Sequence, residues 1–178
     1  MEIGKYIGEA WDLTKDNLGT FVVAFLIIAI AGNIVPIVLS APLTVGFYVI
    51  ASKAKKGEAD LGDLAKGFDV FGSTVLAQLV RAILIVVGLI FCILPGLVFA
   101  LWYMYTLVVI AEKKVGFQEA MKESKEIVSK EFFDHVIFVI VLFFINFIGF
   151  LLCVVGLLVT VPLSMTALVM AYQDLKPE

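Results

Sequence analysis

Residues 70–111 read VFGSTVLAQLVRAILIVVGLIFCILPGLVFALWYMYTLVVIA, a run with one charge, Arg81. A bilayer crossing needs about 20 predominantly apolar residues, within a range of about 17–25. The run is too long for one straight crossing and long enough for two. Pro95 and Gly96 lie beyond its middle. Proline lacks a backbone donor and clashes with the preceding helical turn, and glycine permits a tight turn. The stretch therefore reads as a hairpin of two spans, 72–93 and 96–112.

The same reading extends outward. Residues 18–51 are apolar and interrupted at Gly32, Asn33 and Pro36, which gives spans 18–34 and 37–53. Residues 136–172 are interrupted at Gly149 and Gly156, which gives 133–153 and 157–173. The expected fold is all-α: a polytopic membrane bundle of six spans arranged as three hairpins in one domain, 1–178. The first two spans are the least sharply delimited, because Pro36 and Pro42 lie close together. Composition agrees. Hydrophobic residues make up 62% and charged residues 16%, against about 45–50% and about 25% in soluble domains. Such a chain cannot cover its outside with polar groups, so lipid must cover much of it.

Charge sets the orientation. Of the thirteen Lys and Arg residues, twelve fall in 1–17, 52–69, 112–134 and 174–178, and the hairpin turns carry none. The positive-inside rule places those four segments, and both termini, in the cytoplasm of a multi-pass cell-membrane protein. The first 17 residues hold four acids against Lys5 and Lys15, which is not the basic start of a signal peptide. The net charge of −3 and the lack of a basic stripe with interleaved aromatics point away from a nucleic-acid partner.

The chain overlays on itself at an offset of about 60 residues. Val49, Val109 and Val169 coincide, as do Ala51, Ala111 and Ala171, and Pro42 falls on Pro162. Three units follow, about 1–56, 57–116 and 117–178. Each opens with a polar segment of helical period. In the third, Phe117, Ala120, Met121, Ser124, Ile127 and Val128 share one face, and lysines and glutamates fill the rest. In the second, Asp60 is a candidate N-cap for a stripe of Leu61, Leu64, Ala65 and Phe68. In the first, the stripe is Ile3, Tyr6, Ile7, Ala10 and Trp11. These are expected to be cytoplasmic amphipathic helices lying in the interface plane. They either cover the bundle ends or offer a platform to lipid headgroups or a partner protein.

Few residues could carry chemistry. Arg81 is the one charge inside a span, and an intramembrane ion marks a candidate site by default. Counting across the Pro95 turn places it level with Leu107 to Ile110, within reach of Tyr105 and Thr106. Arg81, Tyr105 and Thr106 are therefore the candidate lipid or anion contacts. The alternative is a structural arginine, snorkelled toward the interface or stacked on Tyr105. By the same counting Asn146 faces Ser164 and Thr166, a candidate interhelical polar contact. The aromatics Trp102, Tyr103 and Tyr105 inside the fourth span suit packing or an acyl-chain pocket. His135 has no second histidine beside it, so interfacial placement is expected rather than a metal site. Cys92 and Cys153 lie far apart in apolar runs and read as inert thiols. No GxSxG, Walker A, HExxH or dinucleotide fingerprint occurs. No enzyme activity, cofactor or metal is expected.

Several short motifs carry a resemblance: Ala10-Trp11 with Asn17, PLTVG at 42–46, DLAKGF at 63–68, Pro95-Gly96, GFQEAMKES at 116–124 and VPLSMTALVMAYQDL at 161–175. Together the pattern resembles a poorly characterised group of prokaryotic integral-membrane families. One example is the membrane domain attached to some glycerophosphodiester phosphodiesterases. The resemblance implies a six-helix membrane domain, without phosphodiesterase activity and without transferable site residues. The functional expectation is a non-enzymatic module that binds or organises membrane lipids, or a scaffold for a partner at the amphipathic helices. The alternative is a small transporter or channel for an anionic or amphipathic solute, with a homo-oligomer compatible with either.

Overall fold

Polar and charged segments bound the apolar runs, and the helices follow those boundaries. The computed structural model describes residues 2–34, 36–91, 93–152 and 156–176. Within them all regular secondary structure is helical. Helices α1 (Ile3–Asp16), α2 (Leu18–Ile34) and α3 (Pro36–Ala54) are followed by a 3-10 segment, Leu61–Val70, that leads into α4 (Phe71–Phe91). Then come α5 (Ile93–Trp102), α6 (Thr106–Lys113), α7 (Phe117–Lys130), α8 (Phe132–Leu151) and α9 (Leu157–Leu175). Cys92 and Cys153, read as inert thiols, lie outside the described residues.

Among the described residues four stretches are long and apolar enough to cross a membrane: Leu61–Leu89, Pro95–Lys113, Phe132–Leu151 and Leu157–Leu175. A fifth candidate is the pair α1 and α2, which meet at 95°, while Leu39–Ala54 is a shorter apolar helix. The count supported by length and composition is thus four to five, against an expected six. The outward faces are apolar: Leu79, Ile83 and Val86 on α4, and Phe143, Phe147 and Phe150 on α8, are all exposed. Water would leave this surface unsatisfied, and hydrocarbon suits it.

Three helices, α3, α6 and α9, form the inside and touch one another. Ala51, Val109, Ala111, Val169 and Ala171 are buried there. A polar helix caps each inner helix: α1 packs on α9, the 3-10 segment on α3, and α7 on α6. In α7, Ala120, Met121, Ser124, Ile127 and Val128 are buried, so its stripe faces the bundle. The 3-10 segment approaches α3 closely. A Cβ on Gly67 would strike the Pro42 carbonyl, and one on Gly46 would strike the Leu64 backbone.

One ion pair ties each cap to its inner helix. Lys53 meets Asp63 at 2.8 Å, Lys113 meets Glu123 at 2.8 Å, and Lys5 meets Asp174 at 3.2 Å. The Tyr6 hydroxyl also donates to Asp174 at 2.6 Å. Burial first, and then that hydrogen bond, push the Tyr6 phenol above the usual tyrosine range, which keeps it a donor.

Candidate functional site

Arg81 lies ten residues after Phe71 and ten before Phe91 in the 21-residue α4, or about 15 Å from either end at 1.5 Å per residue. A cavity of about 530 Å³ opens beside it. Tyr48 of α3 and Leu168 of α9 form its floor, Leu97, Ala100 and Leu101 of α5 one wall, and Val136, Val139 and Ile140 of α8 the other. Met104 and Leu142 complete the lining. Arg81 brings the only full charge to it. Among the described residues no hydrogen bond or ion pair reaches the guanidinium.

The cavity has a structural cause. Helix α3 packs directly against α4, and α2 against α9. Among the described residues α5 and α8 do not pack closely. The bundle is therefore parted along one side, at the level of Arg81.

Tyr105 and Thr106, expected beside Arg81, do not line this cavity. Both are fully buried. The counting placed the turn at Pro95, but Gly88 packs against Gly96, which moves the turn to the N-terminal side of Pro95. Pro95 sits instead in the first turn of α5, where a missing N–H costs nothing. This shift sets Arg81 beside Leu97 to Met104. Tyr105 packs its ring on His135 at 5.5 Å and on Tyr172 at 6.3 Å. His135, in the first turn of α8, is likewise fully buried, with Nδ1 2.8 Å from the Glu131 carbonyl. The Tyr105 hydroxyl, Thr106 hydroxyl and His135 Nε2 have no partner among the described residues.

Tyr105 lies at a break between α5 and α6 that the sequence reading missed. There Ser124 of α7 bonds both sides: its hydroxyl donates to the Trp102 carbonyl at 2.8 Å and accepts from the Tyr105 N–H at 3.1 Å. The Trp102 ring meets Lys125 at 4.5 Å rather than an acyl pocket. Between α8 and α9 Asn146 donates to Ser164 at 2.7 Å, whereas the Thr166 hydroxyl turns to the Pro162 carbonyl at 2.9 Å.

The charged ends of the inner helices converge on a polar knot. Gln173 donates to Glu112 at 2.6 Å and to Ser52 at 2.8 Å, and Ser52 donates to Glu112 at 3.1 Å. Lys176 also pairs with Glu112, at 3.3 Å. Among the described residues no cluster of His, Cys, Asp or Glu could hold a metal ion.

No family model, curated protein or solved structure matches the chain.

Proposed function

We propose that this chain is a non-enzymatic, multi-pass membrane module that binds membrane lipid, with both termini in the cytoplasm. The observation that carries the reading is the Arg81 cavity, a largely apolar recess with one unpaired cation, set within an apolar exterior. A mostly apolar recess of a few hundred Å³ with a small number of polar groups is the usual form of a small-ligand site. In hydrocarbon an unpaired guanidinium is costly, and a bound anionic lipid would remove that cost. The test is native mass spectrometry of protein extracted with its own lipids. A specific co-purified species, lost in Arg81→Gln, supports the proposal; an identical lipid profile in both proteins rejects it.

The proposal includes six spans in three units of about 60 residues. Three features favour it. Lys53–Asp63 and Lys113–Glu123 are both ten residues apart and are displaced from each other by 60. The Lys5–Asp174 pair occupies the corresponding place between α1 and α9. An irregularity also recurs at one register: an internal proline in α3 and α9, Pro42 and Pro162, and the break after Trp102 between α5 and α6. The likeness to the membrane domain of some glycerophosphodiester phosphodiesterases belongs to the same proposal. So does a scaffolding role for the polar faces of α1 and α7.

One observation favours transport of an anionic or amphipathic solute. Arg81 stands at the midpoint of α4, the depth at which many transporters hold substrate. Arg81-dependent anion flux into proteoliposomes would select this reading over static lipid binding.

A further inference from the structure

The parted side of the bundle and the isolated cation lie together, and their chemistry narrows the ligand. We infer that the cavity takes a single-chain carboxylate amphiphile of the fatty-acid class, entering sideways from the bilayer between α5 and α8 and seating its head on Arg81. This deepens the lipid-binding reading and rests on it.

Charge complementarity names the head. Arg81 is one fixed cation with no counter-charge among the described residues, so one anion neutralises the site. A guanidinium presents parallel N–H donors that match the two oxygens of a carboxylate. Depth separates a carboxylate from a phospholipid head. Arg81 is anchored at the middle of α4, whereas phosphodiester heads rest at the bilayer surface and stay ionised. A carboxyl group, whose ordinary pKa is about 4.3, can take up a proton, pass inward as the neutral acid, and release the proton once paired with Arg81. Size acts in the same direction. At about 530 Å³ the recess falls within the range of about 300–1,000 Å³ of a site for one small ligand, a size that suits a single chain. The entry path is the seam itself. The walls facing across it, Ala100 and Leu101 against Val139 and Ile140, are apolar, and the two helices do not close on each other.

The test uses the full chain in phosphatidylcholine nanodiscs and electron spin resonance. The probes are a 16-carbon fatty acid with a nitroxide near its chain end, its methyl ester, and phosphatidylglycerol with the same label. The fatty acid should show a motionally restricted fraction well above that of the ester. Arg81→Gln should weaken its binding by about tenfold or more, as expected for loss of a charge-assisted pair. Ala100→Trp fills the seam and leaves Arg81 in place, so it should abolish the excess even if Arg81→Gln fails to fold. Restriction of phosphatidylglycerol but not of the fatty acid overturns the inference and leaves lipid binding standing. No excess for either probe overturns both. Unchanged fatty-acid restriction in folded Arg81→Gln, or in Ala100→Trp, also overturns the inference.

Discussion

At Ser124 one hydroxyl serves two backbone groups. It bridges the Trp102 carbonyl and the Tyr105 N–H across the α5–α6 break, in a fully buried position. Ser124→Ala leaves both groups without that partner, and a buried unsatisfied group costs about 1–3 kcal/mol. The variant should therefore unfold at clearly lower temperature in the same detergent, followed by circular dichroism. Asn146 offers the contrast. Its Ser164 bond is equally short, yet Ser164 keeps the Thr160 carbonyl as its own acceptor, and bonds of this type average about 0.6 kcal/mol in membranes. Asn146→Leu should shift the same melting curve much less than Ser124→Ala; a larger shift would mean that Asn146 has a further task. Ser124 was legible only as a member of an apolar stripe. Its role depends on a break in another helix, which no local periodicity announces.

Among the elements, the 3-10 segment is the one most tightly seated. Gly67→Ala would drive a methyl into the Pro42 carbonyl, and overpacking of this kind costs about 1–3 kcal/mol. In α1, Gly8 has open space around its Cβ position. There the change to alanine should instead stabilise by up to about 1 kcal/mol, the difference in helix propensity. Opposite signs in thermal unfolding would verify the docking geometry, and equal signs would refute it. Helix limits were readable because polar residues and prolines bound the apolar runs: the expected 18–34 and 133–153 lie against Leu18–Ile34 and Phe132–Leu151. The register of α4 against α5 was not. Proline punctuates a sequence whether it closes one helix or opens the next, and the Gly88–Gly96 approach that decides between them is a tertiary contact.

For the molecule as a whole, the cavity was beyond sequence reading because five elements contribute to it and its size depends on a pair of helices that stay apart. Arg81 alone was visible, as the sole charge in an apolar run. The proposed orientation has a direct check. In a chain with Cys92 and Cys153 changed to alanine, Gly57→Cys and Gly116→Cys should react with an impermeant maleimide in inside-out vesicles and stay unlabelled in right-side-out ones. Labelling from the outer side would overturn the topology.

The polarity of the three clamps has a consequence for assembly. Two inner helices present lysine, Lys53 and Lys113, to an acid on the cap that seats there. The third reverses the signs: α9 presents Asp174 and α1 brings Lys5. Were α1 to settle on α3 or α6, lysine would confront lysine, and like charges held together disfavour the mistaken pairing. The inversion works as an address. It biases α1 toward α9, the inner helix that offers Lys5 an acid at this register.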